Sequence, residues 1–333
     1  MSTRRPLTLA ELADVVAPVG RPVAERSLGG GFFASVQAVE LADGRTVVVK
    51  TGQPDDAAGL LTHERRLLRG EVALLRRAAD VPGVPAPAVL HADLTRTAVD
   101  VDVLVAEMMP GASWDSSRDA MPPDAVAAAG RQVGAILAGL GSVVGPRFGY
   151  PDEASGLGGA TWPEAFGAMV EALLVDARRW GVDVEPDRVR AALAASATRA
   201  ALAEVTTPRL VHMDLWPGNV LLDPGTGDVT GVVDFERGLF GDPLMDLVGH
   251  DPFRVHGVPA DAVAGYVTAG GTALPAATEL PLTVERRLAL YRLYLTLVMT
   301  IEVVPRGYDW PDLDGYVARL VEARQALLAM LSA

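Results

Sequence analysis

Runs of apolar residues divide the chain into a first part with strands and a later part dominated by helices. Thr46-Val-Val-Val49 is an apolar run that predicts a buried strand delivering Lys50, and residues 99–109 alternate as a further strand. The pair Asp43-Gly44, just before the first of these strands, is a hairpin signal. Leucines at helical spacing predict one continuous helix over residues 60–79.

Helical patterns prevail after residue 109, where Pro110-Gly111 ends the strand. The capping box Thr161-Trp-Pro-Glu164 predicts the start of a helix that runs to about Trp180. Two short strands, at 220–222 and 229–233, interrupt the helices. The remaining predicted helices cover residues 9–17, 124–140, 186–204, 283–303 and 311–332. The pattern predicts an α+β chain with an N-terminal lobe of residues 1–108 and a helical C-terminal lobe of residues 109–333.

Length and composition narrow the chemistry. A chain of 333 residues with half of them hydrophobic is long for one domain and comfortable for two lobes. The absence of cysteine excludes disulfides, thiolate catalysis and zinc sites of the cysteine type. The five histidines are scattered without a His-x-x-x-His pair, so a structural zinc site is not expected.

The formal net charge of −13 argues against a nucleic-acid partner and suits a cationic small molecule, although acidic surfaces also simply keep proteins soluble. No uninterrupted apolar run has the length of a membrane helix, so no membrane span is predicted. The first residues carry positive charge but no apolar segment of a signal peptide follows them. We therefore expect a cytoplasmic protein, either a monomer or a homodimer.

Lys50 is the single lysine among the 29 lysine and arginine residues of the chain. A lysine kept against such an arginine bias suggests a task for a compact ammonium, such as contacting two phosphates. The alternative is an ordinary surface lysine at the end of a strand. Because other phosphate-binding features surround it in chain order, Lys50 is a candidate nucleotide-binding residue.

A buried carboxylate is expected to pair with Lys50, because an isolated buried charge is costly. Glu71 lies three or four positions from Leu67, Leu68, Leu74 and Leu75, which places its side chain on the apolar face of the predicted helix. Glu64, seven residues earlier on the same predicted face, is the rival candidate. We favour Glu71, while neighbouring arginines are an alternative source of charge for either carboxylate.

A glycine triplet, Gly29, Gly30 and Gly31, lies between two strand-like stretches ahead of Lys50. Glycines allow the backbone to approach a phosphate and expose N–H groups to it, although a triplet alone is more often a plain turn. The segment around Glu107 and Met109 is where the two lobes would join, with backbone groups free to bind a nucleotide base.

The most specific feature is the sequence His212-Met-Asp214-Leu-Trp-Pro-Gly-Asn219, which is followed by Asp234 at the end of a strand. In phosphoryl transfer, one carboxylate meets the acceptor hydroxyl while an amide and a second carboxylate hold Mg²⁺ on the nucleotide. Asp214 is the candidate catalytic base, and Asn219 and Asp234 are the candidate metal ligands. His212 is expected to be structural, and Asp246 caps a helix or braces the loop.

At these residues the chain resembles the aminoglycoside phosphotransferase family, including its fructosamine-kinase and choline-kinase-like relatives. The matching motifs are His212-Met-Asp214 to Asn219, Val233-Asp234-Phe-Glu236, and Gly241-Asp242-Pro243 to Asp246-Leu247, within a resemblance over roughly residues 25–250. This sequence departs from the family pattern at Met213, where the family commonly has glycine or another small residue.

The resemblance implies a protein-kinase-like bilobal fold, with an antiparallel N-lobe sheet, one key helix and a mainly helical C-lobe. It also implies transfer of the γ-phosphoryl group of ATP or GTP to a hydroxyl of a small molecule, with Mg²⁺ as cofactor. An antibiotic-modifying kinase is our first hypothesis, and a kinase of a fructosamine, sugar or amino alcohol is the alternative. A nucleotide-binding module without catalysis is a third hypothesis, from another class.

Substrate contacts are expected from the helical lobe. The candidates are acidic or aromatic residues near its C-terminal end or in the catalytic loop: Trp216, Glu302, Tyr308, Asp309 and Trp310. Each of them is as well explained as a surface or core residue. The sequence leaves the substrate, the hydroxyl that is phosphorylated and the choice between ATP and GTP open.

Overall fold

The computed structural model describes residues 6–29, 34–55, 57–274 and 280–332. Its N-terminal lobe is a five-stranded antiparallel sheet in the order β1-β2-β3-β5-β4. The strands are β1 (Pro22–Ser27), β2 (Ser35–Leu41), β3 (Thr46–Thr51), β4 (Val89–Asp93) and β5 (Val103–Glu107). Two helices accompany the sheet, α1 (Leu9–Val15) and α2 (Leu67–Ala78).

The alternation of side chains along β3 places Lys50 on the inner face of the sheet. Val47 and Val49 join Leu12 and Val15 of α1 in a small apolar core on the outer face. Lys50 points to the opposite face, where it meets α2. The preceding hairpin is confirmed, with Gly44 at φ +87° between β2 and β3.

The prediction of one helix over residues 60–79 is wrong in its first part. Thr62–Glu64 is a 3₁₀ turn, and α2 begins only at Leu67 because Arg66 adopts φ +60°. The turn is closed by its own carboxylate, since the Leu61 N–H donates to Glu64 Oε2 at 2.8 Å. Glu64 therefore does not share a helical face with Glu71.

The C-terminal part is mainly helical. The helices are α3 (Trp114–Ser117), α4 (Pro123–Leu140), α5 (Trp162–Trp180), α6 (Pro186–Ala194), α7 (Ser196–Ala203), α8 (Leu244–Gly249), α9 (Ala260–Thr268), α10 (Leu282–Arg306) and α11 (Leu313–Ser332). The capping box at Thr161 is confirmed, with Glu164 accepting from the Thr161 N–H at 3.0 Å. The predicted helix over 186–204 is interrupted at Ala195, where ψ of 137° separates α6 from α7.

Two small sheets hold the segments that carry the motif residues. One contains β6 (Ala112–Ser113), β10 (Val220–Leu222) and β11 (Val229–Val232), and the other contains β7 (Phe148–Gly149), β8 (Gly158–Gly159), β9 (Arg209–Val211) and β12 (Leu239–Gly241). The β10–β11 hairpin brings the end of the loop from His212 to Asn219 beside the residues that precede Asp234. The expected strand over 99–109 forms only as β5, and β4 was not predicted.

Among the described residues, α10 is the one helix that is long and apolar enough to cross a membrane by these two criteria. Of its most apolar window, 78% is buried inside the protein. The side chains of α10 pack against α5, α7, α8 and α11, as expected for the central helix of a folded core.

Candidate active site

The Lys50 ammonium lies where α2 and the end of β11 meet the sheet. It donates to both oxygens of Glu71 at 2.8 Å and to Asp234 Oδ1 at 2.7 Å. Glu71 is buried, as its position among the leucines of α2 predicted. The predicted pair of Lys50 with Glu71 is confirmed, and the rival Glu64 binds Arg306 at 2.6 Å instead.

Burial by itself would lower the pKa of Lys50, but the surrounding carboxylates of Asp234, Glu71 and Glu236 raise it well above its usual value. The lysine is therefore charged. Burial raises the pKa of Glu71, and the ammonium of Lys50 opposes that rise. The ammonium of Lys50 and the carboxylates around it thus compensate each other's charges. Buried charges are tolerated under this condition.

Glu236 is a functional candidate to which the sequence reasoning assigned no role, although it stands in the quoted motif. Its carboxylate lies 3.7 Å from Lys50 Nζ. Together with Glu71 and Asp234 it forms a group whose oxygen atoms lie within 4.8 Å of one another. Burial, followed by repulsion from Asp234, raises the pKa of Glu236 well above the ordinary value.

The loop that carries Asp214 is fixed by hydrogen bonds on both sides. The buried Asp246 accepts the Met213 N–H at 2.8 Å, so it braces the loop, one of the two roles expected for it. His212 Nδ1 accepts the Asp214 N–H at 3.3 Å, and Nε2 lies 3.1 Å from the Val233 carbonyl. Burial lowers the pKa of His212 to about 4, so the imidazole is neutral and acts as a connector.

Met213 occupies a backbone conformation that explains why a small residue is common there in the family. Its φ is +67°, in the left-handed region that favours glycine. Asp234 has φ +69° and shares this uncommon conformation. Such residues cost about 1–3 kcal/mol each and are found mainly at functional sites. The departure from the family pattern therefore leaves the loop in place at some local cost.

Asn219 is oriented by the loop itself. Its Nδ2 donates to the Asp214 carbonyl at 2.8 Å and lies 3.4 Å from Asp214 Oδ2. The Val233 N–H donates to the Asn219 carbonyl at 3.0 Å, which ties the end of the loop to the residue before Asp234. Nδ2 is used in this way, and the side-chain oxygen of Asn219 is a hard donor of the kind that Mg²⁺ prefers.

Arg237 is a second residue that sequence reasoning missed. Its Nε lies 3.8 Å from Asp214 Oδ2, and its Nη2 donates to Glu302 at 3.0 Å. It follows Asp234 on the 3₁₀ turn Phe235–Arg237, in which residues three apart lie on the same side. That spacing is the signal that could have identified it. Burial raises the pKa of Asp214 to about 6, and Arg237 opposes the rise.

The other residues that were predicted to contact a nucleotide lie, along the chain, at the end of β1 and at the end of β5. Gly29 has φ +66° at the end of the strand pair, while Gly30 and Gly31 lie outside the described residues. Glu107 is the last residue of β5, and its N–H donates to the Ala88 carbonyl at 3.0 Å. Met109 lies against Gly231, where a Cβ would approach Met109 Cβ to 2.9 Å. Their contacts with a nucleotide stay predictions.

A cavity of about 380 Å³ opens beside the catalytic loop, between α3, α4 and the segment that joins α8 to α9. Trp216 and Pro217 of the loop form one wall, and Phe253 forms another. Trp216 and Phe253 are unusually open for large aromatic residues, at 38% and 49% exposure. Gly218 makes room for the indole, because a Cβ there would lie 2.2 Å from it.

The remaining substrate-contact candidates have other surroundings. Glu302 is buried between Arg237 and Arg306, at 3.0 and 2.8 Å, so it is engaged by the protein itself. Tyr308 and Trp310 are in ring contact at 4.5 Å, and Trp310 is 37% exposed. Asp309 is exposed between them.

A bilobal chain with a lysine–glutamate pair, a carboxylate bound to the same lysine and a His-x-Asp loop nearby has the arrangement of a phosphoryl-transfer enzyme of the protein-kinase-like type. The profile of the family described as "Phosphotransferase enzyme family" matches residues 25–280. The chain belongs to this family. It is accordingly a phosphotransferase that acts on hydroxyl groups.

Solved structures support the fold. A candidate fructosamine-3-kinase from Thermobifida fusca is 23% identical, with a TM-score of 0.67, over 97% of this chain and 98% of that chain. A thermostable mutant of aminoglycoside phosphotransferase APH(4)-Ia, in complex with AMP-PNP and hygromycin B, is 18% identical, with a TM-score of 0.57, over 98% of each chain.

A third similar structure is the GDP and kanamycin complex of an APH(2″) enzyme, which is 17% identical, with a TM-score of 0.61, over 97% of this chain and 99% of that chain. At these identities the structures show the shared protein-kinase-like fold and no more. No curated protein matches the chain.

Proposed function

We propose that the protein moves the γ-phosphoryl group of ATP or GTP to a hydroxyl of a small molecule, with Asp214 as the catalytic base. One observation carries the proposal: the lone lysine lies 2.7 Å from Asp234, whose strand is bonded to the loop that bears Asp214 and Asn219. Phosphate-binding, metal-binding and base candidates from distant parts of the chain therefore meet at one place.

In this proposal Asp214 orients the acceptor hydroxyl and accepts its proton as the oxygen attacks phosphorus. Within the described residues, its side-chain contacts are with Asn219 Nδ2 and Arg237 Nε, and both are made through Oδ2. This arrangement leaves Oδ1 for the hydroxyl. Lys50, held by Glu71, would contact the phosphates and stabilise the charge that develops on the transferring group.

The oxygen donors of Asn219 and Asp234 fit Mg²⁺, which prefers hard oxygen ligands and bridges phosphates. The two residues are joined through the bond from the Val233 N–H to the Asn219 carbonyl, so their spacing is fixed before a metal binds. When bound, Mg²⁺ would neutralise charge on the nucleotide phosphates. Glycines 29–31, Glu107 and Met109 would complete the nucleotide site.

We place the acceptor in the cavity beside Trp216. Trp216 and Phe253 provide open aromatic faces. The lining also has an excess of one carboxylate: it holds Asp115, Asp251 and Asp261 against Arg118 and Arg254, and Arg254 pairs with Asp251 at 2.7 Å. Such a lining suits a molecule with an apolar face and a cationic group, because aromatic faces and carboxylates both attract cations. The net charge of −13 would favour the approach of such a substrate.

An antibiotic with an amino group and a smaller metabolite, such as a ketosamine, sugar or amino alcohol, both fit this description. The known structures of similar fold include enzymes of both kinds, a candidate fructosamine-3-kinase and aminoglycoside phosphotransferases. We favour the antibiotic acceptor, with the metabolite kinase as the alternative. Either reaction would take place in the cytoplasm, in a monomer or a homodimer.

The decisive experiment is transfer of labelled phosphate from ATP and from GTP, in the presence of Mg²⁺, to a panel of aminoglycosides, macrolides, ketosamines, sugars and amino alcohols. Turnover of antibiotics supports the first version. Turnover of a metabolite with inert antibiotics would replace it with the alternative. Nucleotide binding without any phosphate transfer, including to water, would leave a binding module and refute the kinase proposal.

Asp214→Asn supplies the matched test of the base. The amide keeps the size of the side chain, so nucleotide affinity should be retained while turnover falls by about 10²–10⁴, the usual contribution of a general base. Asp223→Asn, in the exposed turn between β10 and β11, is the control and should behave like the unaltered protein. Equal turnover of Asp214→Asn and the control would show that Asp214 is misassigned.

A further inference from the structure

Five side chains of alternating charge form a continuous chain from the N-terminal lobe to the predicted base. In order they are Glu64, Arg306, Glu302, Arg237 and Asp214. The successive shortest N···O distances are 2.6, 2.8, 3.0 and 3.8 Å. The first three of these side chains are almost entirely buried, and the exposure rises to 26% at Asp214.

The last contact of this chain differs from the others. Three of the distances are those of hydrogen-bonded ion pairs, whereas Arg237 Nε stays 3.8 Å from Asp214 Oδ2. A free guanidinium beside a carboxylate would close into a bidentate pair, which would occupy the base and neutralise it. Glu302, which binds Arg237 from the other side at 3.0 Å, opposes that closure.

The other end of this series of ion pairs, at Glu64, is fixed where the N-terminal lobe docks on the helices. Glu64 belongs to the 3₁₀ turn before α2, and Thr62 of the same turn donates to Asp176 of α5, from its N–H at 2.7 Å and its hydroxyl at 2.9 Å. Arg66 lies 3.3 Å from Asp152. The segment from Thr62 to Arg66 is thus attached to the C-terminal lobe by polar contacts of three residues, and the contact of Glu64 continues to the base.

We propose that Glu302 is a positioning residue: it holds Arg237 at a distance from which the guanidinium orients Asp214 without capturing it, and Arg306 anchors Glu302 to the docked N-terminal turn at Glu64. The proposal rests on the proposed role of Asp214. Its consequence is that the placement of the base depends on contact between the lobes at a point remote from the nucleotide.

The charges around Asp214 attract and repel its carboxylate from different sides. Arg237 and Arg306 attract its carboxylate, whereas Asp234 and Glu302 repel it. Removing Glu302 would take away one repulsion and would also remove the hydrogen bond that draws Arg237 away from Oδ2. Both changes favour a closed Arg237–Asp214 pair, so their effects on the position of the base have the same sign.

Crystal structures of Glu302→Gln and of the unaltered protein test the proposal without reference to activity. We expect the Arg237–Asp214 distance to contract from 3.8 Å to hydrogen-bonding distance, about 2.7–2.9 Å. An unchanged distance would overturn the proposal. If Glu302→Gln fails to fold, a crystal structure of Glu64→Gln tests the same series of ion pairs from its other end. Unchanged positions of Glu302 and Arg237 in that variant would contradict the link between the lobes.

Kinetics with ATP, with water or an identified acceptor, give the second readout. We expect Glu302→Gln to lower kcat by about 10- to 100-fold, as a displaced catalytic group does, with the KM for ATP unchanged. Arg306→Lys should retain most of the activity, because the ammonium can still bind both carboxylates, whereas Arg306→Met should resemble Glu302→Gln. A loss of ATP affinity equal to the loss in kcat would indicate a structural role only and would refute the positioning.

The matched control is the ion pair of Arg324 with Glu185, at 3.2 Å, which joins α11 to the start of α6. Like Glu302, Arg324 is nearly buried, but its pair lies outside the chain that reaches Asp214. Glu185→Gln should leave kcat unchanged even where it lowers thermal stability. The proposed function is tested separately, because it requires phosphate transfer by the unaltered protein and the loss of that activity in Asp214→Asn.

Discussion

Lys50 Nζ and Asp234 Oδ1 lie 2.7 Å apart although 184 residues separate them in the chain. The ammonium also donates to both oxygens of Glu71, so it joins a strand, a helix and the turn after β11. Its side chain is only 11% exposed. A buried cation on β3 that binds carboxylates of α2 and of the turn after β11 fixes the mutual position of these three elements, and its loss has consequences for stability as well as for catalysis.

We expect Lys50→Met to lower the free energy of unfolding by about 3–5 kcal/mol, because the carboxylate of Glu71 is left buried without its cation. Adding Glu71→Gln should restore part of that loss, since the uncompensated charge is removed. Urea unfolding of the single and double variants measures both effects. A double variant that is no more stable than Lys50→Met would mean that the pair carries no such penalty.

From the contacts of Lys50 we also expect that arginine cannot replace this lysine in phosphate transfer. Lys50→Arg keeps the charge, but a planar guanidinium cannot occupy the place of a compact ammonium that contacts Glu71 and Asp234 together. Phosphate transfer should fall by about 10²–10³, the scale of losing one charge-stabilising donor. Arg324→Lys, at a buried pair away from the site, is the control. Near-normal turnover of Lys50→Arg would contradict a direct role in binding phosphate.

Activity should depend on the ionisation of Asp214 at pH values well above those at which an exposed aspartate titrates. Burial raises the pKa of Asp214 to about 6, and a protonated carboxylic acid cannot accept the hydroxyl proton. The value of kcat/KM should therefore fall as pH drops through about 6. In Arg237→Gln, which lacks the cation that opposes the rise, the fall should begin at higher pH. A profile that is flat down to pH of about 4, the ordinary value, would contradict this assignment.

Asp246 should act as a hydrogen-bond acceptor for the backbone of the loop that carries Asp214. Asp246→Ala leaves the buried Met213 N–H without a partner, which should cost about 1–3 kcal/mol of unfolding free energy and lower kcat. Asp246→Asn keeps an oxygen in the same place and is the matched variant with a much smaller effect. Denaturant unfolding together with steady-state kinetics compares them, and equal losses in both variants would show that the hydrogen bond to Met213 is unimportant.

The acceptor cavity gives a prediction that concerns affinity alone. Phe253→Ala removes an aromatic face that is 49% exposed and belongs to the lining of the cavity. The KM for the acceptor should rise by about 10-fold, on the scale of one cation–π contact of about 1–2 kcal/mol, while the KM for ATP and kcat stay unchanged. Trp180→Phe, at the end of α5, is the control. An unchanged acceptor KM in Phe253→Ala would place the substrate elsewhere.

Sequence reasoning succeeded where a residue's position depends on nearby residues or on a family motif. The pairing of Lys50 with Glu71 followed from the apolar spacing around Glu71, and the loop from His212 to Asn219 was recognised from its own residues. It failed where a long-range contact overrides local preference. Leu60 to Arg66 have the spacing of a helix, yet this segment docks on α5 and α10 and forms a 3₁₀ turn that reaches Arg306.

The order of apolar and charged residues by itself determined that the chain has a strand-rich and a helical part, and that Lys50 pairs with Glu71. These properties are encoded within windows of a few residues, where spacing fixes the face that a side chain occupies. Only the tertiary structure decided that Glu302 lies between two arginines and that Arg237 stands beside Asp214. Those contacts join elements far apart in the chain, and their geometry is set by how helices pack, which no local pattern records.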